Sequence, residues 1–158
     1  MKVVGIDPGL SATGYGIVER TGSRITPLGW GVIRSGSGAL TDRLEKIFDR
    51  ISQVLAEYCP DIVAVEDIFT GRNLRSGLRL GHARGASILA AAKGGYPLIE
   101  YPAATVKLAV VGRGRASKKQ VEYMVGKLLN IEDERVAEDA ADALAVALCC
   151  IIREKVLR

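Results

Sequence analysis

The chain has 158 residues, of which 48% are hydrophobic and 25% are charged, so it has the length and apolar content of one folded domain. It has no run of about 18 apolar residues that could cross a membrane, and its first residues lack the apolar core of a signal peptide. Its three cysteines, Cys59, Cys149 and Cys150, match no disulfide or metal-binding pattern and favour a reduced, cytoplasmic protein with buried thiols.

The net charge of +4 is distributed unevenly along the chain. Residues 1–68 carry a net charge of −2, residues 69–127 carry +9, and residues 128–158 carry −3. A basic block within a folded domain favours a polyanion as partner, and a solvated face of long basic side chains is the alternative.

The hydrophobic pattern predicts five strands and five helices, in an order typical of an α/β fold. The predicted strands are 2–7, 13–20, 25–35, 61–67 and 96–102, and the predicted helices are 39–58, 73–95, 103–111, 117–130 and 138–156, with a break at 112–116. The first three strands follow one another through short turns and should be antiparallel. Helices separate the other two, which should run parallel to the first strand. The result is a five-stranded mixed sheet flanked by helices, with Pro27 placing the third strand at an edge or a bulge.

Acidic residues stand at the ends of two of these strands. Asp7 follows an apolar run and precedes a Pro-Gly turn, and Glu66 ends the fourth strand. Ligand sites in parallel sheets lie at the carboxyl ends of the strands. In the last helix, Asp139 and Asp142 are three residues apart and share one face, although Glu138 and Asp142 form an alternative pair. The roles of Glu138 and of Asp67, next to Glu66, stay open.

Four converging carboxylates repel one another unless a cation lies between them. Hard oxygen ligands suit Mg²⁺ or Mn²⁺, and two such ions could promote hydrolysis of a phosphodiester. Each acid also has an ordinary interpretation: Asp7 as a turn residue, Asp139 as a favourable charge at a helix start, and Glu66 as the partner of an arginine.

Three ordered motifs, "GIDPGLSATGYG", "VEDIF" and "DAADALA", resemble those of the bacterial RuvC-type Holliday junction resolvases. The resemblance runs from Val3 to about Cys150. It implies a single ribonuclease-H-like nuclease domain over residues 1–158. It also implies a homodimer that cuts opposing strands of a four-way DNA junction in recombination and repair, with a branch-migration complex of the RuvA and RuvB type as partner.

The resemblance further implies a set of site residues. Asp7, Glu66, Asp139 and Asp142 would be the catalytic metal ligands, Lys107 and Lys118 would lie near the scissile phosphate, and Phe69 would insert at the centre of the junction. Stacking of an exposed aromatic ring on an unpaired base is a plausible use of Phe69, and a place in the core is the alternative.

Further basic residues are candidates for contacts with the DNA backbone. Arg72 and Arg75 follow Phe69, Arg113 and Arg115 lie in the "GRGR" loop, and Lys118 and Lys119 begin a helix. Ser117 and Gln120 form a capping-box pattern there, and a helix N-terminus attracts phosphate. A solvated surface is the alternative for all of them.

One face of the predicted helix 73–95 carries Gly77, Gly81 and Gly85, which indicates close packing against the sheet or against a partner helix.

Three other functions compete with junction resolution: an ATP-binding module, a junction-binding protein without catalysis, and a nuclease of the same fold with another substrate. The ATP-binding fold needs a duplicated domain, and the chain has no such repeat.

Overall fold

The structure is a computed structural model that describes residues 1–67 and 74–154. Its strands are β1 (Lys2–Asp7), β2 (Ala12–Thr21), β3 (Arg24–Arg34), β4 (Ile62–Asp67) and β5 (Leu98–Pro102). Its helices are α1 (Leu40–Tyr58), α2 (Leu74–Lys93), α3 (Ala103–Val111), α4 (Lys118–Leu129) and α5 (Glu138–Glu154). These bounds lie within two residues of the predicted ones, and all five predicted helices are present.

The five strands form one sheet in the order β3-β2-β1-β4-β5. β1 pairs antiparallel with β2 and parallel with β4, which itself pairs parallel with β5. The predicted mixed sheet is therefore confirmed. β3 is an edge strand, and its register with β2 shifts between Ile17 and Val18, opposite Pro27. A proline cannot donate a hydrogen bond to the ladder, so it is tolerated at such a bulge.

Helices cover both faces of the sheet, as the buried runs of β1 and β4 require. α1 and α2 pack on one face, over a core that includes Val4, Ile6 and Val63. α3, α4 and α5 pack on the other face, over Val3, Val18 and Ala64. Since side chains alternate along a strand, this division determines which side of the sheet each strand-end residue faces.

α5 lies directly on β1 and β2 because three glycines leave that face of the sheet without side chains. Gly5 pairs with Gly16 across the two strands, and Gly14 follows two residues away on the same face. A Cβ atom at Gly5 would overlap the carbonyl oxygen of Ala143, and one at Gly16 would lie 2.7 Å from the Leu144 side chain. We call these three residues the glycine platform. It sets the separation of α5 from the sheet.

Two local predictions have different outcomes. The capping box of α4 is confirmed: the Ser117 hydroxyl accepts from the backbone N–H of Gln120, whose side chain accepts from the Ser117 N–H. The thiol prediction is wrong for Cys59, which is exposed at the C-terminal end of α1, whereas Cys149 and Cys150 are buried. Cys59 takes a left-handed backbone conformation that ends the helix and leaves its side chain outside the core.

The glycines of α2 do not pack on the sheet. Apart from α2 itself, nothing in the described part of the chain lies within 4 Å of a Cβ atom placed at Gly81 or Gly85. Packing against the sheet is therefore excluded for these two positions, and packing against a partner helix stays a prediction. Among the described helices, none combines the length and the apolar character that a membrane span requires.

Candidate active site

Asp7 and Glu66 face the same side of the sheet. β1 and β4 run parallel with Gly5 opposite Ala64 and Ile6 opposite Val65, so the next step of this register brings Asp7 beside Glu66. Asp7 alternates with Gly5, and Glu66 with Ala64, so both carboxylates lie on the face that α5 covers.

The first turns of α5 bring Asp139 and Asp142 to the same place. Gly14 is the β2 partner of Asp7, and a Cβ atom there would overlap the carbonyl oxygen of Asp139. Asp142 lines a cleft together with Glu66. Asp139 is half-buried whereas Glu138 is exposed. The pair that faces the sheet is therefore Asp139 and Asp142, which resolves the choice that the sequence left open.

Burial and repulsion between carboxylates raise the pKa values of three of these acids. Burial, together with the charges of Glu66, Asp142 and Asp139, raises the pKa of Asp7 from 3.8 to about 8. Burial and the charge of Asp142 also raise the pKa of Glu66. The pKa of Asp142 rises through burial as well, although a hydrogen bond from Lys118 opposes the shift. Without a cation, the site therefore binds protons more tightly than isolated carboxylates do.

Two lysines share the cleft with the acids. The cleft has a volume of about 150 Å³, and its lining includes Glu66, Asp142, Lys107 and Lys118. The Lys118 ammonium donates to Asp142 Oδ2 over 3.1 Å and also to Glu138, and these bonds raise its pKa, the Glu138 bond most. Lys107 and Lys118 both lower the pKa of Glu66 through their charge. The cleft therefore presents acidic and basic groups together.

The donor set fits a hard divalent cation. Its candidate ligands are carboxylate oxygens. Burial and the neighbouring carboxylates both disfavour the ionised form of Asp7, which a cation would stabilise. Within residues 1–67 and 74–154, no three acidic, histidine or cysteine side chains lie close enough to hold a metal ion as they stand. Mutual repulsion keeps unscreened carboxylates apart, and Lys118 occupies one oxygen of Asp142. The ligand roles stay a prediction.

Comparison with known proteins agrees with this geometry. Residues 3–150 match the family described as crossover junction endodeoxyribonuclease RuvC. The chain belongs to the RuvC family. A RuvC of Trichlorobacter lovleyi is 51% identical over 152 residues, which cover 96% of this chain and 85% of the relative. A RuvC of Citrifermentans bemidjiense is also 51% identical, over 94% of this chain and 91% of the relative.

Solved structures of RuvC share the fold. The structure of T. thermophilus RuvC in complex with Holliday junction substrate superposes with a TM-score of 0.92 at 33% identity, covering 99% of this chain and 96% of the other. A yeast mitochondrial Holliday junction resolvase shares the fold with a TM-score of 0.73 at 14% identity, over 98% and 81% of the two chains. The predicted family, its ribonuclease-H-like fold and its class of enzyme are confirmed.

Six further residues were predicted to bind DNA, and the four of them that the structure describes do not line the cleft. Phe69 and Arg72 lie outside the described residues. The other four are exposed and form no ion pair within the described part of the chain: Arg75, Arg113, Arg115 and Lys119. Their roles stay predictions.

Asp67 belongs to the opposite face of the sheet from Glu66. It alternates with Glu66 along β4, so it faces α2, where Arg84 lies 3.4 Å from its Oδ1 atom and also binds Glu100 of β5. Arg84 is mostly buried, and its Nε has no hydrogen-bond partner in the described residues. Arg84 was not among the residues predicted from the sequence. Asp67 therefore adds no charge to the cleft, and this answers the question that the sequence left open.

We expect Arg84→Ala to lower the free energy of unfolding by about 1–2 kcal/mol, because it leaves Asp67 and Glu100 facing each other without a cation. Urea unfolding at neutral pH measures the change. Arg50→Ala is the matched control, since Arg50 is exposed on α1 and bonds Gln53, an uncharged residue. Equal changes for both variants would contradict a role for the Arg84 ion pairs.

The metal-free protein should lose stability as pH rises from about 4 to about 8. The pKa of Asp7 is raised on folding from 3.8 to about 8, so between these values the folded state binds more protons than the unfolded state. Glu66 and Asp142, whose pKa values are also raised, act in the same direction. Thermal unfolding in EDTA across this pH range measures the slope. Asp7→Asn should flatten it, and a slope that is unchanged in that variant would contradict the assignment.

Proposed function

We propose that this chain is a structure-selective endonuclease that resolves four-way DNA junctions by paired, symmetric nicks in homologous recombination and repair. The observation that carries the proposal is the cleft lined by Glu66, Asp142, Lys107 and Lys118. Asp7 lies close enough to its acids for the charges of Glu66, Asp142 and Asp139 to raise its pKa. A RuvC of 33% identity and the same fold has been solved with a Holliday junction substrate, which supports four-way DNA as the substrate here.

Asp7, Glu66, Asp139 and Asp142 are the proposed catalytic metal ligands. They come from three separate elements, β1, β4 and α5. The charges of the other three raise the pKa of Asp7, and the charge of Asp142 raises that of Glu66. Such coupling destabilises the ionised site in the absence of a cation and gives it affinity for one. The proposed ion is Mg²⁺, with Mn²⁺ as a substitute and two ions for each site. When bound, these ions would supply an activated water and stabilise the departing 3′ oxygen.

In the proposal, the two lysines of the cleft offset the negative charge of the DNA. Lys118 and Lys107 carry positive charge beside the acids, on the side of the cleft formed by α3 and α4. A phosphodiester that enters the cleft brings a negative charge toward the carboxylates, and the two ammonium groups offset that repulsion. Lys118 lies nearest to an acid, and we assign it a catalytic role in orienting the scissile phosphate.

DNA binding outside the cleft would involve the basic middle of the chain. Arg75, Arg113, Arg115 and Lys119 are exposed cations that can contact phosphates without reading sequence. Phe69 and Arg72 complete the proposed set, on the strength of the family resemblance alone.

Two symmetric nicks in one junction require two active sites, so we propose a homodimer. The open face of α2 at Gly81 and Gly85 allows a helix of a second copy to approach closely. A branch-migration complex of the RuvA and RuvB type is the proposed partner, and the cytoplasm the proposed location, as the family resemblance and the cysteine content suggest.

Cleavage of an end-labelled synthetic four-way junction, compared with a linear duplex of the same arms, tests the proposal. We expect symmetric nicks in the junction only, with Mg²⁺ and not with EDTA. Junction binding without cleavage under any divalent metal would contradict a catalytic function and favour a binding protein. Equal cleavage of both substrates would favour a nuclease of different specificity.

A further inference from the structure

The Lys118 side chain is held between two carboxylates of α5. Glu138 and Asp142 are four residues apart, so they lie one above the other on the helix surface. The ammonium of Lys118 bonds the Oε1 atom of Glu138 and lies 3.1 Å from Asp142 Oδ2. This bridge is a contact between α4 and α5 at the opening of the cleft.

No residue of α4 itself holds the Lys118 side chain in this place. Lys118 is the first residue of the helix, where the helix dipole disfavours a positive charge. The capping box uses Ser117 and Gln120 on each other and leaves the lysine outside it. The side chain has four methylene groups joined by rotatable bonds and is 57% exposed. Its position next to the acids therefore depends on the two carboxylates of α5.

These two carboxylates differ in what else they do. The Asp142 side chain is only 18% exposed and lines the cleft with Glu66, where it is a proposed metal ligand. The Glu138 side chain is 60% exposed and does not line the cleft. A metal ion at Asp142 would compete with Lys118 for its oxygens, whereas Glu138 would keep its bond to the lysine.

We propose that Glu138 is a positioning residue that keeps the Lys118 ammonium at the opening of the cleft while Asp142 binds metal. The inference rests on the proposed function, because it concerns the same cleft. Glu138 acts on the reaction through Lys118 and is not itself a metal ligand. In the sequence, Glu138 was an alternative to Asp139 as the partner of Asp142. In the structure, Glu138 bonds Lys118 instead.

Steady-state cleavage of the junction with four variants tests the inference: Glu138→Gln, Lys118→Met, the double variant, and Glu134→Gln. Glu134 is an exposed acid in the loop before α5, and its replacement controls for the general effect of removing one negative charge from a DNA-binding protein. We expect Glu138→Gln to lower kcat by about five- to tenfold with KM for the junction within about twofold. In the Lys118→Met background the same change should have almost no further effect.

A second measurement needs neither metal nor DNA. In EDTA, the rate at which an amine-reactive reagent labels Lys118 is measured by mass spectrometry, with the adjacent exposed Lys119 as an internal standard. We expect Glu138→Gln to raise the labelling of Lys118 several-fold relative to Lys119, because the lysine loses its strongest partner. Glu134→Gln should leave the ratio unchanged.

Three results would overturn the inference. Loss of cleavage from Glu138→Gln in both backgrounds would indicate a direct role for Glu138, such as metal binding. Identical kinetics of Glu138→Gln and Glu134→Gln would show that the bridge has no effect on the reaction. An unchanged labelling ratio would show that Glu138 does not hold Lys118. If the unmodified chain cut no junction, the proposed function would fail, whereas the labelling experiment would still decide whether the bridge exists.

Discussion

Replacing Asp7 by asparagine should reduce junction cleavage by about 10³-fold or more and leave junction affinity within about threefold. Asp7 is the acid on which burial and three neighbouring carboxylates act together, so it lies at the centre of the site. Asparagine has nearly the same shape but carries no charge, and it offers one oxygen instead of two to a cation. The variant should therefore fold and bind DNA but fail to hold the metal.

Single-turnover cleavage and a binding titration in Ca²⁺ separate these two effects. Asp49→Asn is the matched control, because Asp49 is an exposed acid of α1 on the other side of the sheet. Both variants remove one negative charge, so any shared change in DNA affinity is electrostatic and not specific to the site. Cleavage by Asp7→Asn within tenfold of the unmodified chain would contradict the assignment of Asp7 as a metal ligand.

Gly14→Ala should have the second large effect, lowering the free energy of unfolding by about 3 kcal/mol or more and abolishing cleavage. The added Cβ atom would overlap the carbonyl oxygen of Asp139, which belongs to the backbone of α5 and cannot move away alone. The whole helix start would have to shift. Asp139 and Asp142 would then lose their alignment with Asp7 and Glu66.

Urea unfolding and cleavage measured on the same preparation test this prediction. Gly126→Ala is the control, since Gly126 lies in α4 and its new Cβ atom would meet Glu132 at an ordinary 3.5 Å. Alanine there should leave stability equal or slightly higher, because it favours the helix. A Gly14→Ala variant as stable and as active as the control would mean that α5 does not rest on the sheet at this point.

The convergence of the acids could be predicted from sequence because two simple periodicities determine it. Asp7 and Glu66 each end an apolar strand, and parallel strands place their carboxyl ends at one edge. Asp139 and Asp142 are spaced by three residues on a helix. Each rule concerns residues that are close in sequence or belong to neighbouring strands, so no knowledge of packing was required.

The partners of the charged residues could not be predicted in this way. Arg84 binds Asp67 and Glu100, and Lys118 binds Glu138, across elements whose relative positions depend on the whole core. Long side chains reach several neighbours, and sequence spacing alone does not choose among them. The glycine platform did leave a signal, since Gly14 and Gly16 alternate within a strand where glycine is normally disfavoured. That signal indicates a close approach without naming the helix that makes it.

The glycine platform has a consequence for how this protein tolerates change. At Gly5 and Gly14 the backbone of α5 rests on the backbone of the first two strands, and a main-chain contact has no rotamers through which it can adjust. The distances between the acids of the sheet and the acids of α5 therefore do not depend on which apolar residues lie under α1 and α2. Sequence drift or redesign of that distant layer should alter melting temperature while turnover by the folded enzyme stays constant.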